Sequence, residues 1–475
     1  MSEITLLWHD YETWGADPRN DRAAQFAAIR TNQDLEEVGE PINIYCKPSD
    51  DFLPHPEAAL ITGLTPQETW QKGLIEAEFF AQINQAFSKP STCGVGYNSI
   101  RFDDEVTRLG FYRNFIDPYA REWKNGNSRW DIIDLVRMTH ALRPEGINWP
   151  IDALSGKVSF RLELLTKANN IAHEGAHDAL SDVRATIAMA KLIKTAQPKL
   201  YDYYFKLRSK VEAGRLLNLS EQKTVLHVSG MYGVALGCIA PVMPLVQHPV
   251  NANEYFVYDL RHDPQPLLAM SSQDIAKNLY TKTVDFPKGI QRVALKTVHI
   301  NKSPALAPIN TLTVDKAKQW QINWNKIEQH RQQLLAANSL AQRLIEMCHA
   351  NSKKKIISDA DSAIYEGFIS NNDRALCNQV LKKKPEQLAS WKPTFDDHRL
   401  NILYPRYVAR NWPELLDIKQ QEEWRHFCQA RLLDGDYGSK LTIHQFQQTI
   451  GMLLATPLTE EKQLILKKLL EWISH

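Results

Sequence analysis

The sequence predicts an α/β region, then a small β-barrel or sandwich, then a helical C-terminal region. Short apolar strand patterns and amphipathic helix patterns share the first 195 or so residues. Several short strand patterns follow between residues 225 and 300, and helical periodicity continues from residue 361 to the end. A chain of 475 residues is too long for one ordinary core, so about two to four domains are expected.

The first region begins with three predicted strands. Runs rich in apolar, β-branched or aromatic residues predict strands at ITLLWHD, QFAAIRT and INIYCKP, and a fourth at TCGVGYN. Helical periodicity is predicted for EAEFFAQINQAF, for SIRFDDEVTRLGFYRNF with Ser99 as its N-cap, for SRWDIIDLVRMTHAL and for AHDALSDVRATIAMAKLIKT. Strands that come before most of the helices indicate a mixed sheet flanked by helices.

Gln197 and Pro198 mark the first predicted boundary. Beyond it, TVLHVSG, VALGCIA, YFVYDL and RVALKTVHI are predicted strands separated by turn residues. Residues 314–350 have a helical pattern, and NSKKKIISDAD is typical of a charged linker. The predicted domains are therefore residues 1–197, 198–352 and 353–475.

Bulk composition excludes several classes of protein. No apolar run approaches the roughly 18 residues that cross a membrane, and the N-terminus lacks a secretory signal. Six scattered cysteines without a C-x-x-C pair favour a reducing cytoplasm over a disulfide framework or a zinc site. The net charge of +1, from 56 basic and 55 acidic residues, neither indicates nor excludes a nucleic-acid-binding protein.

An acid pair ends the first predicted strand. Side chains two residues apart in a strand lie on one face, so Asp10 and Glu12 point the same way and Tyr11 points the other way. Two adjacent anions are unfavourable unless a cation binds between them, and Mg²⁺ prefers oxygen ligands. Taken alone, this D-x-E pattern also fits a strand end exposed to solvent.

Two further motifs change the interpretation of that pair. Asp103 lies near the start of a predicted helix, and His177 and Asp182 lie five residues apart on another. Each has an ordinary alternative: a first-turn acid favoured by the helix dipole, a structural histidine, or an acid on a solvated face. The order of an acid pair, a single acid and then H-x-x-x-x-D in one α/β region favours a shared metal site.

These motifs carry a family resemblance. DYE, NSIRFDDEV and HDALSDVRAT resemble the three exonuclease motifs of the DEDD superfamily, and the histidine five residues before the last acid is typical of its DEDDh branch. Over essentially the whole chain the sequence resembles the bacterial exodeoxyribonuclease I family, as in HDYETWGADPRNDRAAQFAAIRT, ALRPEGINWP, SFRLELLTKAN and VLHVSGMYG. The resemblance implies an RNase H-like exonuclease domain, an SH3-like β-barrel domain and an all-helical C-terminal domain.

The resemblance also implies an activity. Such enzymes hydrolyse single-stranded DNA processively from 3′ to 5′, release 5′-mononucleotides, and act in DNA repair and recombination. Two Mg²⁺ ions, with Mn²⁺ as a substitute, are expected at Asp10, Glu12, Asp103 and Asp182. His177 is expected to be the general base.

Further residues are implied contacts with the substrate. Glu12 and Arg161 are expected at the substrate, although without the resemblance an ordinary surface ion pair is the favoured interpretation of Arg161. The stretch from Arg108 to Arg137 interleaves basic and aromatic residues, which favours single-stranded DNA. The DNA contacts implied by the resemblance are Arg108, Tyr119, Trp123 and Arg137, whereas Phe111 and Trp130 are predicted core residues.

A protein partner is implied as well. Relatives dock the C-terminal tail of single-stranded DNA-binding protein, and Arg143 and Tyr203 occupy the matching places. Local ion pairing and packing are the alternative for both residues. The family further implies a monomer.

Three other functions remain open on the residues alone. An RNA-trimming enzyme of the same branch would need only about 200 residues, and this chain has roughly 275 more. A DNA-binding module with a decayed site would not need all four acids and the histidine. A small-molecule phosphatase does not account for the basic and aromatic stretch.

Overall fold

The computed structural model describes residues 3–173, 178–286, 292–350 and 359–474. The chain divides into two compact units. The first contains Met1–Ser128, His173–Ile187 and Lys355–His475, and the second contains Arg129–Ala172 and Ala188–Lys354. Segments at opposite ends of the sequence therefore fold together in the first unit, and the sequence boundaries at residues 197 and 352 stay predictions.

The elements follow one another along the chain in three stretches. The first 113 residues form β1 (Thr5–Thr13), β2 (Ala23–Thr31), β3 (Ile42–Tyr45), α1 (Pro56–Thr62), α2 (Pro66–Lys72), α3 (Glu76–Phe87), β4 (Thr92–Gly96) and α4 (Asp103–Arg113). The next stretch forms β5 (Ser128–Asp131), α5 (Ile132–Leu142), α6 (Leu162–Ala168), α7 (Ala179–Ala196), α8 (Pro198–Lys206), α9 (Lys210–Leu216), β6 (Val225–Val228), β7 (Ile239–Gln247), β8 (Glu254–Asp259), α10 (Gln265–Leu268), α11 (Ser272–Tyr280), β9 (Leu295–His299) and β10 (Ala305–Pro308). The remainder forms α12 (Val314–Gln319), α13 (Trp324–Ala336), α14 (Leu340–Ala350), α15 (Asn371–Val380), α16 (Pro385–Ser390), α17 (His398–Asn411), α18 (Ile418–Gln429), α19 (Ile443–Leu454) and α20 (Glu460–Trp472).

The sheet of the first unit is mixed, as predicted. Within this unit its strands lie in the order β3-β2-β1-β4, with β1 antiparallel to β2 and parallel to β4. On β1, Asp10 lies opposite Ala27 and Glu12 opposite Gln25, and the register shifts immediately after Glu12. A bulge at this point ends regular pairing beside the acid pair, a common place for a functional site.

Aromatic residues fill the core beneath this sheet. Phe26, Phe80 and Phe111 are completely buried in one apolar cluster. Helices α3 and α4 approach closely at Gly110, where an added Cβ would lie 2.0 Å from the Phe80 ring. This close approach packs the C-terminal half of α4, the helix that begins at Asp103, against α3.

The C-terminal helices complete the first unit. Phe115, which follows α4, stacks on Phe395 with ring centroids 5.7 Å apart and makes edge contacts with Tyr404 and Tyr407. A buried ion-pair network reinforces this packing.

In that network, Asp51 binds both Arg22 and Arg410, and Arg410 also binds Asp361. Buried charges of this kind are stable only when they are fully paired. The network therefore ties the C-terminal segment to the N-terminal α/β region.

The second unit contains the predicted small β domain. Its strands lie in the order β10-β6-β7-β8-β9, and every pairing is antiparallel. The helical pattern predicted for residues 314–350 is confirmed by α12, α13 and α14.

Two local predictions in this part of the chain are wrong. Residues 128–131 form β5 rather than the start of a helix, because Asp131 caps α5 by accepting the Ile133 N–H. The strand predicted at VALGCIA begins only at Ile239 and continues through two prolines to Gln247. Proline is typical of the turns that separate strands, whereas Pro241 and Pro244 both lie within paired positions of β7.

Ser99 is not the N-cap of α4. The helix begins at Asp103, with Phe102 in the N-cap position, because residues 99–102 form a turn in which the Ser99 carbonyl accepts the Asp104 N–H. All six cysteines are free. Among the described residues, no helix is long and apolar enough to span a membrane.

Candidate active site

Three carboxylates converge at the end of β1. Asp10, Glu12 and Asp182 each place one carboxylate oxygen within 4.8 Å of the other two. The strand alternation puts Asp10 and Glu12 on one face, and α7 brings Asp182 to the same place from 170 residues away.

Asp103 is fixed to the same strand by a backbone hydrogen bond. Its Oδ1 accepts the N–H of Tyr11 at 3.1 Å, so the carboxylate lies beside the residue between the two acids of β1. The Tyr11 hydroxyl, on the other face, lies 3.0 Å from Thr107 Oγ1 one turn further along α4. These two bonds set the position of the first turn of α4 against β1.

Asp182 has a histidine partner that the sequence interpretation missed. His173 Nε2 lies 2.5 Å from Asp182 Oδ1. The available signal is the first histidine of AHEGAHD, four residues before the predicted base. His177 itself lies outside the described residues.

The acids change one another's ionisation. Burial, followed by the charges of Asp103, Glu12 and Asp182, raises the pKa of Asp10 well above its ordinary value. Burial and the charge of Asp182 raise the pKa of Glu12 to about 9. Near neutral pH the Glu12 carboxyl therefore holds a proton unless a cation is bound among the acids.

The donor set fits a hard divalent cation. The clustered ligand atoms are all carboxylate oxygens, which suit Mg²⁺ or Mn²⁺ better than the softer ions that prefer thiolates. The raised pKa values of Asp10 and Glu12 also indicate a cation site, because a bound cation would stabilise the ionised forms that burial disfavours.

Comparisons with known proteins agree with this geometry. Three family domains match the chain: Exonuclease over residues 7–190, Exonuclease I SH3-like domain over 208–350 and Exonuclease I C-terminal domain over 358–475. Exodeoxyribonuclease I of Escherichia coli strain K12 is 48% identical over 426 residues, which are 89% of this chain and 88% of that protein.

The chain belongs to the exodeoxyribonuclease I family. It is therefore an exonuclease, with an exonuclease domain, an SH3-like domain and a helical C-terminal domain.

Two solved structures of family members are similar over their whole length. The moderately thermophilic exonuclease I of Methylocaldum szegediense has a TM-score of 0.95 and 46% identity, with 99% of each chain covered. The zinc-bound complex of E. coli exonuclease I with single-stranded DNA has a TM-score of 0.93 and 43% identity, and the match covers 100% of this chain and 99% of that one.

Three of the four DNA-contact candidates of this exonuclease lie in the first unit. Trp123 is 65% exposed and is the most accessible of them. Arg108 is buried, and its guanidinium donates to both Glu122 oxygens, at 2.7 and 2.9 Å. The Tyr119 ring centroid lies 5.3 Å from that guanidinium.

Arg137 and Arg161 lie in the second unit. Arg137 donates to Asp134 at 2.7 Å. The Arg161 side chain is 60% exposed and pairs with Asp152 at 3.3 Å and with Glu163 at 3.4 Å. Phe111 in the first unit and Trp130 in the second are completely buried, which confirms both core predictions.

Arg143 and Tyr203 line one cavity of about 510 Å³ in the second unit. Arg143 Nη1 donates to the Thr311 carbonyl at 3.0 Å, and the Tyr203 hydroxyl donates to the Leu306 carbonyl at 3.1 Å. The remaining lining residues are mainly apolar and include Met138.

Proposed function

We propose that the chain degrades single-stranded DNA from the 3′ end, processively, and releases 5′-mononucleotides. The observation that carries the proposal is the convergence of Asp10, Glu12 and Asp182 within 4.8 Å in a member of the exonuclease I family. Asp103, bonded to the Tyr11 N–H, is the fourth acid. The similarity to an exonuclease I that binds single-stranded DNA supports DNA as the substrate.

Two Mg²⁺ ions, with Mn²⁺ as a substitute, are the proposed cofactors, held by Asp10, Glu12, Asp103 and Asp182. When bound, such a pair of ions stabilises the charge on the attacking and leaving oxygens of an in-line phosphoryl displacement. The zinc-bound E. coli relative supports a metal-binding role for this site.

The side chains around the acids have separate proposed roles. His177 takes the proton of the attacking water, since an imidazole pKa near 6.5 suits a general base at neutral pH. Glu12 also contacts the terminal nucleotide. Arg161, exposed on its own unit, provides a charged fork suited to a phosphate oxygen.

The proposed DNA-binding surface uses aromatic and basic side chains. The exposed ring of Trp123 and the ring of Tyr119 are suited to stack on unpaired bases without sequence preference. Arg137 and Arg108 are the proposed phosphate contacts. Arg108 is paired with Glu122, so its proposed role requires that the guanidinium bind the phosphate together with Glu122 or in place of it.

Product analysis tests the proposal directly. A single-stranded DNA of roughly 30 nucleotides with a 5′-end label should shorten from its 3′ end, and mononucleotides should appear only when a divalent cation is present. EDTA and the Asp182→Asn variant should each abolish release.

The same experiment includes the competing substrate. An RNA of identical length and sequence should be degraded far more slowly than the DNA. Faster release from RNA, or nucleotide release that persists in EDTA, would contradict the proposed activity.

We also propose that the cavity at Arg143 and Tyr203 binds the C-terminal tail of single-stranded DNA-binding protein. Arginine is suited to a terminal carboxylate, and the apolar lining is suited to a buried side chain. Apart from Nη1, the Arg143 guanidinium nitrogens form no hydrogen bonds to the part of the chain that the structure describes.

Fluorescence anisotropy with a labelled tail peptide tests this site. The Arg143→Glu variant should lose binding while its hydrolysis of naked DNA continues, and a peptide with an amidated C-terminus should bind weakly to the wild type. Equal binding of the free-acid and amidated peptides would refute the carboxylate role.

We further propose that the enzyme is a monomer, that it is located in the cytoplasm, and that it acts in DNA repair and recombination.

A further inference from the structure

Gln25 is a buried polar residue in a strand that is mostly apolar. It lies on β2 with 1% of its surface exposed, directly opposite Glu12 of β1. A buried amide is costly unless its hydrogen bonds are satisfied, so its partners indicate why it is there.

The Gln25 amide is fully engaged. Its Nε2 donates to Asp178 Oδ1 and to Asn43 Oδ1, both at 2.9 Å, which uses both of its hydrogens. Its Oε1 accepts the backbone N–H of Ala179, the first residue of α7, at 3.5 Å. One side chain therefore contacts both the strand β3 and the start of α7.

Asp178 extends this connection into the helix. Its Oδ2 accepts the Ser181 N–H at 3.1 Å, which is the bond of an N-cap residue. Both Asp178 oxygens are thus committed to the protein. The next residue after Ser181 is Asp182, and the residue before Asp178 is His177.

We propose that Gln25 is a positioning residue for the metal site, acting through Asp178 to hold Asp182 in register with Glu12. The proposal rests on the proposed function, in which Glu12 and Asp182 share a metal. These two acids belong to different elements, and the Gln25–Asp178 bond links the strand opposite Glu12 to the first turn that carries Asp182.

The amide is the side chain this position requires. Glutamate at position 25 would oppose the Asp178 carboxylate and add an anion beside acids whose pKa values are already raised. Leucine at position 25 has a similar size but would leave the Asp178 oxygen and the Asn43 oxygen without their donor.

Mn²⁺ binding to the full chain without DNA separates this role from a purely structural one. The dissociation constant is measured by electron paramagnetic resonance, and the Tm is measured in EDTA. Gln25→Leu and Gln25→Glu should each weaken Mn²⁺ binding about tenfold, the lower end of what outer-sphere partners of metal ligands contribute.

A double variant provides the rescue. In Gln25→Glu with Asp178→Asn, the pair is restored with its hydrogen-bond direction reversed, the local net charge is unchanged, and the Asn43 amide is free to rotate and donate. This variant should bind Mn²⁺ within about threefold of the wild type, far better than Gln25→Glu alone.

Thr31→Val is the matched control on the same strand. It removes the buried hydrogen bond from Trp8 Nε1 to Thr31 Oγ1, 2.9 Å long, at the opposite end of β2. It should lower the Tm and leave the Mn²⁺ affinity unchanged.

The outcomes separate the two proposals. Mn²⁺ binding by the wild type that is lost in Asp10→Asn supports the proposed metal site, and its absence would overturn both proposals. If the wild type binds Mn²⁺ in this way, an unchanged Mn²⁺ affinity in Gln25→Leu would overturn the positioning role alone. If Gln25→Leu does not fold, a double variant that does not recover Mn²⁺ affinity would overturn it.

Discussion

The Glu12→Gln substitution should stabilise the metal-free protein. The pKa of Glu12 rises from 4.5 to about 9 in the fold, chiefly because the carboxyl is buried and faces Asp182. Between these values the native state holds a proton that the unfolded chain has released, so metal-free stability falls as pH rises. Glutamine is neutral at every pH and avoids this cost.

The magnitude follows from the pH interval. At about pH 7.5 the raised pKa of Glu12 lowers the free energy of unfolding by at most ~4 kcal/mol, because each pH unit above 4.5 contributes 1.36 kcal/mol. Glu12→Gln should therefore raise the Tm in EDTA by several degrees at about pH 7.5 and have little effect near pH 4.5, below which both states are protonated.

Scanning calorimetry of both proteins in EDTA, from about pH 5 to about pH 8.5, measures this difference. Glu57→Gln, at an exposed position of α1, controls for the substitution itself. Added Mg²⁺ should stabilise the wild type far more than Glu12→Gln. A Glu12→Gln protein that is no more stable than the wild type at about pH 7.5 in EDTA would refute the account of repulsion among buried acids.

The remaining predictions concern catalysis and the packing of the C-terminal segment. His177→Ala and Asp182→Ala should each abolish hydrolysis while single-stranded DNA binding, measured by anisotropy, largely survives; normal turnover by either would show that the centre is misassigned. Asp51→Asn removes a buried negative charge that pairs with both Arg22 and Arg410 and should cost about 3–5 kcal/mol of stability, measured by thermal unfolding. Phe115 is 3% exposed and packs against three aromatic rings, so Phe115→Ala should cost about 3–5 kcal/mol of stability; a loss of stability below about 1 kcal/mol would contradict tight packing there.

Local sequence patterns predict most helices and strands where the periodicity of the apolar residues agrees with the backbone hydrogen bonding of the fold. The strand at ITLLWHD and the helix at EAEFFAQINQAF lie where they were predicted. The errors at residues 128–131 and in β7 occur where a capping aspartate or paired prolines altered the expected pattern. In β7, pairing with β6 and β8 overrides the local preference of proline for turns.

The motifs identified the acids but not the residues that hold them. Asp10, Glu12 and Asp182 were selected by their order in the chain, and the fold brings them together. Gln25 offered a signal that was missed, since it is the one amide in the buried strand β2. His173 offered a similar signal, as a second histidine close to the last acid.

The sequence by itself determined the family, the order of the domains and the chemical type of the site, because motif spacing and alternation are local properties of the chain. Only the tertiary structure decided which side chains surround the acids and how strongly those acids perturb one another. The physical reason is that burial and electrostatic repulsion depend on distances between segments far apart in sequence, such as the contact between Asp103 and the Tyr11 N–H.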